Sequence, residues 1–344
     1  MAINESWMQA LRERGARFEG VRVTAFAGAG AAGSSTREPV KLSPVLSDGV
    51  IRVEGADASE FLQGQLTNDV AAVTSAHAQS TAHCTPSGRV LATMLLWGAD
   101  TVLFLLAPGD LCGPVRNRLQ TYVLRSRVRL SDLSEQKALL GLAGAGASSL
   151  VRDRLGFAVS QPYESATHEG RTAISLPGDR VLLVLDYDSA ARVWDTLAPD
   201  CEPSGQGAWD WHAVAAGMPT ITAATQDRFV PQMLNLELVG AVSFRKGCYT
   251  GQEIVARTEH LGEVKRRLFR FSSSAPFSAA DAVFAGATEV GVVVNCAPAP
   301  TGGFELLAVV QLSARHTPLT AGRAEGSPLH ALPLPYPIPG SVTV

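Results

Sequence analysis

Apolar residues in this chain gather in runs no longer than a strand. "VLATMLLW" (residues 90–97) and "VLFLLA" (102–107) are the longest, far short of the ~20 residues that a membrane-spanning helix needs. Runs of this length must be buried against one another in layers of strands and short helices. From about residue 45 the order is mixed: "GVIRVEG" reads as a strand, "DASEFLQGQL" as a helix, "STAHCTPSGRVLATMLLW" as a hairpin, "DTVLFLLAP" as a strand, followed by a helix through Arg118. The same texture returns in "KALLGLAG" (strand), "ASSLVRDRLG" (helix), "RTAISLPGDRVLLVLD" (two strands) and "SAARVWDTLA" (helix), so the two stretches read as pseudo-repeats of an α+β unit. After Arg267 the sequence turns to β-rich segments and a Pro-rich tail, which predict a small barrel.

The chain has 344 residues, enough for two or three packed units. Residues 1–44 read as an extension with a short amphipathic helix over 4–17, a strand "VRVTAF" and a small-residue loop near 26–36 to which no role is assigned; 45–267 form the main region, with lobes at about 45–135 and 136–267, and 268–344 the barrel. A net charge of −3 gives no global basic excess to recommend nucleic acid as the main partner. Five widely spaced cysteines without a Cys-x-x-Cys pair argue for reduced thiols, and Glu5, Arg12, Glu13 and Arg14 interrupt any export signal, so a cytoplasmic, non-membrane protein is expected.

"GAGAAG" at 28–33 has the letters of a dinucleotide fingerprint, but Pro39 and Pro44 follow where a phosphate-binding helix should begin. "GLAGAGASS" carries Ser149 at its third glycine position and reads as a plain strand-to-helix turn. The seven histidines form no ligand spacing with the cysteines, so no metal site is predicted. Arg125, Arg127 and Arg129 alternate at strand period; this is either a solvated sheet face or a patch for an anionic ligand, and "VKRRLFR" (264–270) offers a second patch.

"FRKGCYTGQE" (244–253) is the segment richest in chemistry. Thr250 to Glu253 has the form of a capping box, with the Thr250 hydroxyl accepting from the Glu253 amide, which predicts a helix starting at Gly251. Cys248 then lies close to the unpaired amides of a helix N-terminus, with Arg245 and Lys246 nearby, and these features favour thiolate over thiol. Gly247 and Gly251 permit positive φ and close approach of a ligand. Either a reactive cysteine or an inert one in a tight turn satisfies the pattern.

"KGCYTGQE" followed by "IVAR", with "PQMLNLELVGAVSF" before and "LGEVKRRL" after, resembles the YgfZ-type folate-binding proteins, relatives of the glycine-cleavage T-protein, an aminomethyltransferase. "FLQGQLTNDV" and "AHCTPSGRV" extend the likeness, which covers roughly residues 46–268. The resemblance implies two ferredoxin-like folate-binding lobes and a C-terminal barrel in a ring-like arrangement around a central opening. It also implies a tetrahydrofolate cofactor and a role in assembling or repairing iron–sulfur clusters, with transient protein partners and tRNA-modifying clients. Carried over by position, Cys248, Lys246 and Tyr249 are the reactive group, while Gly247, Gly251, Gln252, Glu253, Gln232, Asn235, Arg257, Thr67, Asn68 and Asp69 are the folate contacts.

The family's aminomethyltransferases carry an acidic pair where this chain has Ala92 and Thr93, and a pterin-holding glutamate where it has Ala215. Without those carboxylates the pterin's donors lose their partners, which argues against aminomethyl transfer and against classical enzyme activity. A folate-dependent one-carbon transferase using Asp69 as its acid is the alternative, and an RNA-binding module on the arginine-rich face comes third.

Overall fold

The computed structural model describes residues 4–27, 38–260 and 264–339; most of the small-residue loop predicted near 26–36 lies outside them. The chain divides into two compact units, one of Met1–Ala58, Ala72–Ala78 and Leu95–His212, the other of Ser59–Ala71, Gln79–Met94 and Ala213–Val344. The chain therefore leaves each unit and returns to it.

The N-terminal helix is Glu5–Glu13, capped by Asn4, whose Oδ1 accepts from the Trp7 amide at 3.1 Å. It ends four residues earlier than the apolar pattern predicts, because a hairpin of Ala16–Glu19 and Arg22–Phe26 takes over. Trp7, Leu11, Val23 and Phe26 are buried in one core with Leu140, Leu183 and Trp194.

Two sheets repeat one topology. In the first the order is Gln79–Cys84, Val90–Ala99, Val102–Pro108, Asp48–Glu54, Arg129–Asp132; in the second it is Ser165–His168, Arg171–Leu176, Arg180–Asp186, Lys137–Ala143, Lys41–Pro44, with Glu202–Pro203 added in parallel. In both, a strand and a short helix lead into a three-stranded meander that returns beside the first strand. The fifth strand differs in origin: the first sheet takes it from the chain that follows its meander, the second from Lys41–Pro44 far upstream.

The closed barrel runs Arg266–Ser273, Phe304–Gln311, Thr288–Pro298, Ala282–Ala285, Leu319–Ala321, Ser327–Leu332, around Phe271, Val283, Val293, Leu306, Ala308 and Leu329. The α+β class and the C-terminal barrel are thus as the sequence predicts. No described helix is long and apolar enough to cross a membrane.

The two arginine patches are corrected. Leu124, at φ +41°, lies with Arg125 in a turn, and the strand begins only at Arg129, so the three guanidinium groups do not share a strand face. Arg127 is occupied by Asp57, which its Nη2 meets at 3.0 Å. In "VKRRLFR", Arg267 pairs with Glu237 and Arg270 with Glu305, so these cations serve the barrel's packing.

Candidate functional site

Lys246 points inward. It is 8% exposed, and Nζ donates to the carbonyls of Gln63 (2.7 Å), Leu66 (2.6 Å) and Asn68 (2.9 Å). Three donors meet three acceptors, so the ammonium is fully used within the protein. Burial pushes its pKa down to about 8, against the opposing pull of Asp69. The same ammonium lies 5.1 Å from the centre of the Tyr249 ring. Tyr249 is buried, which raises its pKa, and its hydroxyl has no hydrogen-bond partner among the described residues. Between these two anchors Gly247 and Cys248 are exposed. Cys84 and Cys112 are buried and Cys201 and Cys296 half-buried, which leaves Cys248 as the one exposed thiol of the five. Burial pushes Cys84 and Cys201 up to about 12 and Cys112 up to about 11.

The helix after the loop is Gln252–His260, starting one residue later than the capping pattern predicts. Thr250 is consequently too early to cap Glu253: its amide donates to Gly64 O at 3.2 Å, and no side-chain bond joins it to Glu253 among the described residues. Gly251 accounts for the shift. It sits at φ +85°, and a Cβ there would come within 2.4 Å of the Thr85 carbonyl. This close approach fixes the turn and delays the helix. Cys248 therefore precedes the first helical residue by four positions, and the Lys246 charge that the sequence suggested beside it is held by carbonyls elsewhere. Gln252 is half-buried, while Glu253 and Arg257 are exposed.

Thr67, Asn68 and Asp69 fasten the turn that Lys246 holds. The Thr67 hydroxyl donates to Ala241 O (2.7 Å) and accepts from the Ala82 amide (2.9 Å). Asn68 Nδ2 reaches the Ser80 and Gly240 carbonyls, both at 2.8 Å, and Asp69 Oδ1 accepts from Gln63 Nε2 at 2.8 Å and the Ala71 amide at 3.2 Å. Gln232 and Asn235 are fully buried. Gln232 Nε2 donates to Val255 O (2.8 Å), pinning the helix, and Asn235 Nδ2 to Leu268 O (2.9 Å), pinning the barrel's first strand. Of the two, only Gln232 keeps a side-chain atom without a partner, its buried Oε1. The motif residues thus come together, but mainly as each other's supports.

A second group of polar residues belongs to no sequence motif. In the first unit, Arg180 is 7% exposed, with its guanidinium 4.8 Å above the centre of the Trp209 ring. That ring lies against Gly141, where a Cβ would come within 2.3 Å. Arg180 Nε donates to Pro177 O at 3.0 Å. Burial holds its pKa down to about 10, against the pull of Tyr163, Asp210 and Asp48. Asp210 pairs with Arg22, and Asp48 accepts from the Ser47 hydroxyl at 3.3 Å. Burial, reinforced by the charge of Asp210, pushes Asp48 up to about 7; burial raises Asp210 as well, against the pull of Arg22. These residues come from four separate stretches of chain, and no local pattern announces them. Among the described residues, no three His, Cys, Asp or Glu side chains converge as metal ligands.

No family model matches the chain. It is 33% identical over 245 residues to the tRNA-modifying protein YgfZ of Klebsiella pneumoniae (strain 342), covering 70% of this chain and 74% of that one. The proteins of the same name from Shigella dysenteriae serotype 1 and Escherichia coli O127:H6 are each 31% identical over the same shares. Among solved structures, the glycine cleavage system aminomethyltransferase T of Bartonella henselae matches with a TM-score of 0.75 at 16% identity, over 94% of both chains. The fold is that of the aminomethyltransferases.

Proposed function

The chain belongs to the YgfZ family of tRNA-modifying proteins, and from that membership we propose that it is a tetrahydrofolate-binding accessory protein which supports the assembly or repair of iron–sulfur clusters in other enzymes, including those that modify tRNA. The observation that carries this reading is the single exposed thiol, Cys248, in a loop held on either side by the buried Lys246 and Tyr249. A lone thiol on a rigid mount suits transient ligation of a client's cluster or exchange with a client's thiols; stable clusters need several cysteines. The protein acts in the cytoplasm, where such a thiol stays reduced.

Folate enters as a small-molecule partner, and the buried Gln232 Oε1 and Tyr249 hydroxyl are unpaired groups that suit its polar atoms. Gly247, Gly251, Gln252, Glu253 and Arg257 form the outer part of this proposed contact surface, and Thr67, Asn68 and Asp69 set the turn beneath it. Asp69, the one acid available to a one-carbon transferase reading, is engaged by Gln63 and Ala71, which weighs against aminomethyl transfer.

The test is complementation. In cells lacking the protein, the wild-type chain should restore cluster-dependent tRNA modification and Cys248→Ala, at equal abundance, should not. Full rescue by Cys248→Ala would remove the thiol from the mechanism.

A further inference from the structure

Residues 111–131 contain five arginines and no acidic residue, in a chain whose net charge is −3. The positive charge is therefore local, on the end of the helix Gly109–Tyr122 and the turn that follows it. Asp57 takes Arg127, and Glu54 stands 4.0 Å from Arg129; Arg118 and Arg125 enter no ion pair among the described residues, and the buried Nε of Arg118 has no hydrogen-bond partner there. Two of the four large apolar side chains exposed among the described residues stand in the same place: Tyr122, 36% exposed, and Leu124, 88% exposed. The Arg118 guanidinium lies 6.0 Å from the centre of the Tyr122 ring, one helical turn before it. The turn is fastened on both sides. Val123 is buried between the two exposed residues, the Ser126 amide donates to Val123 O at 2.7 Å, and the Arg127 amide donates to Asp57 Oδ2 at 2.7 Å. Gly55 packs so closely behind it that a Cβ would come within 2.0 Å of Arg127 O. Leu124 holds φ +41°, where glycine or asparagine would sit at less cost, and a side chain so exposed adds almost nothing to the core. Folding alone does not account for it.

We propose that Arg118, Tyr122, Leu124 and Arg125 bind an unpaired stretch of RNA, one base stacking on the Tyr122 ring against Leu124 while the two guanidinium groups take the phosphates on either side. An arginine fork matches two phosphate oxygens at once, and an aromatic ring offers stacking to any base. The apolar surface exposed here belongs to two side chains, which suits one base and falls well short of the roughly 800 Å² per partner that a stable protein interface covers. A duplex keeps its bases stacked inside, so the ring selects the loops and single strands in which folded RNA displays them. Neither Cys248 nor folate takes part, and the site is independent of the function proposed above.

The experiment is fluorescence anisotropy of the full, reduced chain with two labelled probes, an RNA hairpin with an unpaired loop and a blunt RNA duplex of the same stem, read against salt concentration, with thermal melting as the check on folding. Wild type should bind the hairpin about tenfold or more tightly than the duplex, and Tyr122→Ala should abolish that preference while leaving the salt dependence unchanged. Arg125→Gln should weaken both probes and lower the slope of log affinity against log salt by about 0.7–0.9. Leu124→Asn, relieved of its backbone strain, should melt no lower than wild type and still bind the hairpin less tightly. Arg323→Gln removes an exposed cation from the barrel instead and should leave both affinities within about twofold of wild type. Equal wild-type affinity for the two probes, a preference that survives Tyr122→Ala, or an equal loss on Arg323→Gln would overturn the proposal. So would a wild type that binds neither probe at low salt, and if it bound polyglutamate instead, the patch would belong to an acidic protein.

Discussion

Cys248 and Lys246 are two residues apart and behave as opposites, one exposed and without a structural role, the other buried on three carbonyls. Brief iodoacetamide treatment of the native protein should therefore label one thiol per chain, at Cys248, because the remaining cysteines are at least half-buried. Peptide mass spectrometry reads the outcome, and two or more thiols labelled at equal rates would contradict it. Cys248→Ser should leave stability within about 0.5 kcal/mol of wild type. Lys246→Met should cost about 2–4 kcal/mol in urea unfolding, since it leaves three carbonyls around one buried point without a donor. Lys246→Arg should not restore the loss, because a planar fork cannot aim its donors at three acceptors gathered around a compact ammonium. Both cationic neighbours of the cysteine look alike in sequence; what separates them is which carbonyls the fold brings close, and only the structure supplies that.

At the level of elements, the glycines of the loop make a paired test. Gly251→Ala forces a side chain into φ +85° and against the Thr85 carbonyl, so it should destabilise by about 2 kcal/mol or more, whereas Gly247→Ala, with nothing within 4 Å of its Cβ position, should be close to neutral. Equal melting temperatures for the two variants would refute this account of where the helix starts. The same contact shows what was legible in the sequence. The existence of that helix could be read from a local pattern; its first residue could not, because Thr85 lies far away along the chain. Short apolar runs between turn residues revealed the first meander, the barrel and two strands of the second meander, but not its edge strand Ser165–His168. The alternating arginines misled because period two is only a possibility of strand, and the positive φ of Leu124 removes it. Lys41–Pro44 completes a sheet against Lys137–Ala143, a non-local pairing with no signal at either end. The cysteine loop was legible as a contiguous motif, whereas Arg180 and Trp209 are neighbours only after folding.

For the whole molecule, the acid pair ties stability to pH. Folded Asp48 titrates near 7, against about 3.9 in an unfolded chain. Between these values the native state keeps a proton that the unfolded state has released, so stability should fall as pH rises from about 4 to 7 and level off above. Asp48→Asn removes the ionisable group and keeps its shape. The variant should therefore be more stable than the parent at pH 8, by on the order of 2–4 kcal/mol, with the difference closing toward pH 4. Urea unfolding across that range measures it, and a variant less stable than the parent at pH 8 would refute the assignment.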